Sequence, residues 1–295
     1  MSGLRQLKRS FVEVMHIEIR LLRESDIPAA LRLKELAQWN QTENDWRRLL
    51  RLEPAGCFCA TIDNEVVGTT TTTTYGRDLA WIGMVLVDPQ RRKLGIGTKL
   101  MQVAMEYLSQ AGVATIKLDA TQAGRPVYEK LGFIEERVIE RWEGIAGPGG
   151  LALLPLDSAV REEALVLDRD AFGLDRSKLI EMLVDDCHVT PLVDRDGEGR
   201  LTGYGLARPG TAAVYVGPVI AKSREASMTL LDGLLSQVPD QRAYIDLNTA
   251  FGGGWEILTA RGFTKQRDLI RMSYGKESKA GSSPTVFAIA GPEVG

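Results

Sequence analysis

The sequence predicts an α/β (α+β) chain built as two similar halves, each a mixed, mostly antiparallel sheet flanked by helices. Three observations carry this. Strand-like runs alternate with helix-like ones along all 295 residues. In each half three strands follow one another through tight turns, which makes an antiparallel meander. Finally, "VYEKLGFIEERVIERWEG" and "EILTARGFTKQRDLIRMSYG" share a helix, a Gly-Phe and a strand rich in charged residues, so a whole domain is repeated. The length suits two domains.

The elements of the first half follow in order. A basic leader without the apolar stretch of a signal peptide precedes "IEIRLL" (17–22), the first strand. Ser25-Asp26 signals the cap of a helix over "IPAALRLKELAQW", and Thr42 and Asp45 stand in capping-box positions for a second over "QTENDWRRLLRL". The meander comprises "GCFCATI" (56–62), a turn at Asp63-Asn64, "EVVGTTTTTTYG" (65–76) and "LAWIGMVLV" (79–87). Alternation sends every second threonine hydroxyl of 69–74 to each side. The run therefore reads as a solvated sheet face, with the border of a polar cleft as the alternative. A glycine loop then leads into an amphipathic helix whose stripe is Leu100, Val103, Ala104, Tyr107 and Leu108. A strand "ATIKLDA" (114–120), a short helix "RPVYEKL" (125–131) and a strand in "FIEERVIERW" (133–142) complete this half. The glycine-rich "EGIAGPGG" (143–150) marks the boundary between a domain over 1–145 and one over 146–295.

The second half repeats the plan. Helices are expected over 157–172 and 175–186, and a meander with turns at Asp196-Gly197 and Pro209-Gly210 follows. Then come a helix (225–238), a strand (242–247) and a helix (255–263) leading into "KQRDLIRMSY". The final "PTVFAIAG" (284–291) is apolar and β-prone, and is expected to be an ordered strand, since exposed it would invite aggregation.

Composition removes several classes of function. Hydrophobic content of 44%, charged content of 25% and a net charge of −3 fit a soluble globular protein, without the basic excess that nucleic acid or an anionic membrane demands. No apolar run approaches the roughly 18 residues of a membrane span. Cys57, Cys59 and Cys187 are an odd, sparse set that makes no disulfide framework and points to the cytoplasm. Cys57 and Cys59 share one strand face and read as small buried apolar residues rather than metal ligands. With only His16 and His188, and no G-x-S-x-G, neither a Ser-His-Asp hydrolase nor a His-ligated metal enzyme is favoured.

The loop "RRKLGIGTKL" (91–100) is the strongest chemical signal. A Walker A loop fails, because Arg92 stands five residues before Gly97, which Thr98-Lys99 follows. A dinucleotide fingerprint fails at Leu100 and lacks the preceding βα unit. What remains is R-x-x-G-x-G over Arg92–Gly97, between a strand and a helix. Glycines let successive N–H groups point into one concavity, and the helix start adds its free amides and dipole, so the loop suits a pyrophosphate.

In this context "MVLVDPQRRKLGIGTKLMQVAMEYL" followed by "LDATQAGRPVYEKLGF" resembles the GNAT acyl-CoA N-acyltransferases over about 17–142, and the second half resembles the degenerate C-terminal domain of bacterial tandem-GNAT proteins. The resemblance implies acetyl-CoA as donor and CoA as product. It places the pyrophosphate on the amides of Arg92, Lys93, Leu94, Gly95, Ile96, Gly97 and Thr98. It implies that strand 82–87 splays from 114–119, so that the pantetheine arm pairs with backbone groups of the Val85-Leu86-Val87 segment. Tyr128, four residues before Gly132, takes the family's general-acid position. Two departures stand out: Trp81 lies near the position of the usual carboxylate, and "ATQAGRP" replaces the usual Asn before the tyrosine helix.

The chemistry sets what else is needed. A lysine-like amine, pKa about 10.4, is mostly protonated at pH 7, and presenting it neutral costs roughly 4–5 kcal/mol. A carboxylate with a water chain, or local desolvation, must help; Asp119, Glu43 and Asp45 are the candidate carboxylates, each equally readable as a cap or a solvated group. Trp39 and Trp46 read as sheet packing or as walls of the acceptor site. A phenol is a poor acid toward a thiolate, so Tyr128 is expected mainly to donate a hydrogen bond as charge develops on sulfur. The second half carries Arg224 and Ala226 where Gly95 and Gly97 stand, and Leu258 where Tyr128 stands. It is expected to be silent, shaping the acceptor cleft or an oligomer interface, a homodimer included. The expected function is acetyl transfer to a small-molecule amine; a protein or peptide N-acetyltransferase and a non-catalytic CoA-binding sensor are the alternatives.

Overall fold

The computed structural model describes residues 16–147 and 153–295. In the first half β1 (Glu18–Leu21) precedes α1 (Ile27–Leu36) and α2 (Glu43–Leu52), and β2 (Phe58–Ile62), β3 (Glu65–Tyr75) and β4 (Leu79–Val87) form the expected meander. Asp63 and Asn64 both adopt positive φ, 51° and 66°, as a tight two-residue hairpin requires. The capping box of α2 forms as read: Thr42 Oγ1 accepts from the Asp45 amide, and the Asp45 carboxylate accepts from the Thr42 amide at 2.7 Å. α3 (Ile96–Gln110), β5 (Thr115–Ala120), α4 (Arg125–Lys130) and β6 (Ile134–Ile145) follow. Leu100, Ala104 and Leu108 of the predicted stripe are buried, while Val103 and Tyr107 are half-buried.

The second half comprises β7 (Leu154–Pro155), α5 (Arg161–Phe172), α6 (Ser177–Asp185), β8 (Leu192–Arg195), β9 (Leu201–Arg208), β10 (Val214–Ala221), α7 (Arg224–Ser236), β11 (Arg242–Asn248), α8 (Gly254–Thr259), β12 (Thr264–Gly275) and β13 (Val286–Ala288). Only the two-residue β7 had no counterpart in the sequence reading. The apolar 284–291 segment supplies β13, an ordered strand as expected.

The two repeats exchange their last strands. All thirteen strands form one sheet in the order β1-β2-β3-β4-β5-β12-β6-β11-β13-β10-β9-β8-β7. β12 of the second half lies between β5 and β6 of the first, pairing antiparallel with both, and β6 in turn pairs with β11. The two charge-rich repeats are thus neighbours at the middle of the molecule, and the sheet runs unbroken past the sequence boundary at 143–150, whose residues 148–150 lie outside the described residues.

The threonine run is a correction to the reading of a solvated face. Thr69, Thr70, Thr71 and Thr72 have no exposed surface, because α1 and α2 pack on one side of β3 and α3 on the other. Thr69 Oγ1 donates to the Met84 carbonyl at 2.8 Å and Thr72 Oγ1 to that of Gly56 at 3.0 Å, but the hydroxyls of Thr70, Thr71 and Thr73 are buried without a partner among the described residues. Thr here serves as a strand former in a two-sided core. Cys57 and Cys59 are buried as expected, and burial pushes their thiols up to about 12 and about 11.

Candidate active site

β4 and β5 are parallel partners for three residues only, Leu79, Ala80 and Trp81 opposite Thr115, Ile116 and Lys117. Beyond that they part. The cause lies in β4, where Met84 takes φ 50° and the register with β3 slips between Thr69 and Thr71, a bulge that turns the strand away. Asp88 N–H donates to the Val67 carbonyl while Val87 stands opposite Gly68, which makes Val87–Gly68 a non-hydrogen-bonded pair. The N–H and C=O of Val87 therefore point away from β3 into the gap, and Val85, two residues back, shares that side. Leu86 is buried, in register with Thr69, and its backbone turns toward β3.

At the outer end of the gap lies the glycine loop. Arg92, Lys93, Leu94 and Gly95 are exposed, and Lys93 and Gly95 take φ 66° and 79°, the alternation of left-handed residues that gathers amides into a nest. Helix α3 starts at Ile96, so the N–H groups of Ile96, Gly97 and Thr98 have no acceptor within the helix and none elsewhere among the described residues. A Cβ on Gly97 would stand 3.6 Å from Val87 Cγ2, so the fold tolerates a side chain there; bare backbone at Gly97 leaves its amide open to a ligand beside Val87.

The inner end of the gap is a narrow cleft, part of it open to solvent. Ile82–Val85, Leu118 and Tyr128 line one side; Arg141, Arg267 and Leu269 come from β6 and β12; Trp39, Gln41, Pro292 and Glu293 close it. Tyr128 is 9% exposed, rests edge-on against Phe133, and its hydroxyl has no partner among the described residues. Burial pushes its pKa up to about 12, so it is held as a phenol with its proton available to donate.

The carboxylates named from the sequence lie elsewhere or are engaged. Asp119 borders the cleft, but its carboxylate is fully buried and accepts twice from Arg271, at 2.8 and 2.9 Å. Glu43 is exposed and paired with Arg47, and Asp45 is buried in its capping box and against Arg48. Trp39 lines the cleft, whereas Trp46 is wholly in the core. Trp81 is buried, donating from Nε1 to the Pro292 carbonyl at 3.0 Å.

Glu293 is the carboxyl that sequence reasoning missed. It lies in the segment after β13, which returns to the first half, and sits over Gly83, where a Cβ would come within 2.7 Å of Glu293 Cα. Gln41 Nε2 donates to one of its oxygens at 2.9 Å and Arg208 approaches the other at 3.4 Å. Burial raises its pKa, against the pull of Arg208. The signal was a carboxylate right after an apolar, β-prone tail, but only the crossing of the chain brings it to β4.

Two family models match this chain, an acetyltransferase (GNAT) family model over residues 18–133 and an acetyltransferase (GNAT) domain model over 164–288. The chain is a tandem GNAT protein. It is 26% identical over 269 residues to the uncharacterized N-acetyltransferase YitH of Bacillus subtilis, covering 88% of this chain and 93% of that one. It is 25% identical over 264 residues to the holothin acyltransferase of a Pseudoalteromonas species, covering 88% and 87%. A crystal structure from Pyrococcus horikoshii shares the fold with a TM-score of 0.78 at 21% identity, over 99% of this chain and 100% of that one. Acyl transfer is accordingly the reaction class of this GNAT enzyme, and acetyl-CoA is the general donor of the family. No helix among the described residues is long and apolar enough to cross a membrane.

Proposed function

We propose that the protein transfers an acetyl group from acetyl-CoA to the primary amine of a small molecule, with turnover in residues 1–145 and none in 146–295. The observation that carries this is the β4–β5 gap, which joins the open amides of Ile96–Thr98 at one end to the unpartnered Tyr128 hydroxyl at the other. These residues fit the donor: free amides at a helix start suit its pyrophosphate, and the backbone groups of Val85 and Val87 suit its amide-bearing arm. Bound there, acetyl-CoA supplies an acyl thioester. Relatives point to small acceptors too, since a glucosamine 6-phosphate N-acetyltransferase of Trypanosoma brucei matches over 41% of this chain at 30% identity.

The chain's own residues divide the proton work. Glu293 takes one proton from the acceptor's ammonium, and its raised pKa brings it nearer to that of the amine. The freed lone pair forms the C–N bond as the C–S bond breaks. Tyr128 donates a hydrogen bond to the departing sulfur, which takes up the amine's second proton and leaves as the CoA thiol. Asp119 acts as a positioning residue, holding Arg271 and with it the exchanged strand.

The second half has the same parallel pairing, Val214–Val216 opposite Ala243–Ile245, followed by the same parting of strands. There β13 fills the space, pairing with β10 through Val219 and Ile220 and with β11 through Leu247. The chain's own strand lies where a donor arm would enter, so this half builds the acceptor cleft through Arg267, Leu269 and Glu293 instead. Release of free thiol from acetyl-CoA, screened across amines, peptides and amino sugars, tests the reading. Turnover that depends on a small amine is expected; thiol release with peptides alone would replace it with a peptide acetyltransferase.

A further inference from the structure

Two guanidinium groups line the acceptor cleft, Arg141 and Arg267, and two more, Arg208 and Arg271, hold carboxylates at its border; their partners differ. Arg141 is closed on Asp246 at 2.7 and 2.6 Å, Arg271 on Asp119, and Arg208 sits among Asp45, Glu293 and the Gly217 carbonyl. Arg267 stands opposite Arg141 in the β12–β6 register and lines the same cleft. Among the described residues it has no hydrogen bond and no carboxylate within ion-pair distance, and its Nε is buried without a partner. Its strand neighbours do not supply one: Asp268 is engaged by Lys265, which also reaches Glu140. A buried guanidinium donor left without an acceptor is costly, and Arg presents a planar fork matched to an oxyanion.

We infer that the acceptor amine carries an oxyanion, a carboxylate or a phosphate, which docks on Arg267 and holds the amine between Glu293 and Tyr128. This rests on the reading of the cleft as an acceptor site. The oxyanion supplies the missing acceptors for the Arg267 fork, while Arg141, already neutralised, adds no competing demand. The docked acid anchors one end of the molecule, so the ammonium lies toward Glu293, the carboxyl that receives its proton. Arg267 thereby sets which amines bind, without touching the transferred group.

The experiment compares matched pairs: L-alanine and L-aspartate against their carboxamides, and glucosamine 6-phosphate against glucosamine. Each is assayed for thiol release from acetyl-CoA and titrated calorimetrically into CoA-loaded protein, for wild type and Arg267→Gln. Wild type is expected to favour the acidic member of at least one pair by about 10–10²-fold in kcat/KM, the range of a charge-assisted pair, and the responding pair tells carboxylate from phosphate. Arg267→Gln should bring that ratio close to one, chiefly through KM, with CoA affinity unchanged. Equal binding of acid and neutral partner by wild type, an unaltered ratio in the variant, or a parallel loss of CoA affinity would each overturn the inference. If no amine is turned over, the acetyl-transfer reading fails, while the titrations still decide whether Arg267 selects acidic amines.

Discussion

Arg271, on the strand that the second repeat lends to the first, donates from Nε and Nη2 to the two carboxylate oxygens of Asp119, and neither side chain has any exposed surface. The same guanidinium donates from Nη1 to the Gly281 carbonyl at 2.7 Å and lies 4.6 Å over the Trp81 ring. One buried pair therefore fastens β5, β12, the 281 turn and β4 around the cleft. Burial raises the Asp119 carboxyl even with Arg271 opposing it, so removing the arginine strands an acid in the core.

Arg271→Met should therefore cost about 3–5 kcal/mol of stability, the usual penalty for breaking a buried ion pair from one side. Asp119→Asn combined with Arg271→Met should cost less than the sum of the two. Urea unfolding of the four proteins measures the coupling. A strictly additive result would mean the two side chains do not act as a unit, and Asp119 would return as a candidate base.

Tyr128→Phe should lower kcat by about 10²-fold, within the range of general acid–base assistance. Its hydroxyl makes no hydrogen bond within the described residues, so the fold loses nothing and the Tm should hold. Coenzyme affinity, measured by titration, should hold as well. A variant with wild-type kcat would remove Tyr128 from the mechanism.

The acid limb of kcat/KM against pH should follow Glu293. As pH rises through its elevated pKa the carboxyl loses its proton and becomes able to accept one, so the rate rises there, above the pH at which an ordinary glutamate ionises. Gln41, Asp45, Arg208, Arg141 and Arg267 surround it and are retained in Glu293→Gln. That variant should lose the limb and about 10²-fold in kcat. A limb that persists unchanged assigns the titration to another group.

Local order was readable from the residues and long-range exchange was not. The capping box of Thr42 and Asp45, the Asp63-Asn64 turn and the Gly95 entry to α3 depend on neighbours a few positions apart, and each formed as its spacing implied. Arg267, Leu269 and Arg271 share one face of β12, but in sequence the two arginines resemble the exposed charges of an edge strand. Only the insertion between β5 and β6 brings them inward, and a repeat detected in the sequence does not say which copy pairs with which. The same holds for Glu293. Its role depends on Gly83 in β4, 210 residues away by numbering, giving it room. The pairing of Asp119 was hidden for a related reason, since its partner Arg271 comes from the far repeat.

Calorimetric titration should find one CoA per chain, because β13 occupies the second gap and Leu258, buried in the core, stands where the tyrosine would be. Gly97→Asp provides the sharper form of the test. Its Cβ would meet Val87 only at ordinary contact distance, so the helix should still form, and an acidic residue in the first turn suits the helix dipole. The same carboxylate would place bulk and negative charge among the amides meant for a pyrophosphate. All measurable CoA binding should vanish, while far-ultraviolet circular dichroism and the unfolding midpoint stay near wild type. Residual binding at full stoichiometry would locate the donor site away from the Ile96–Thr98 amides, and binding of two equivalents by wild type would show that β13 yields its place to the ligand.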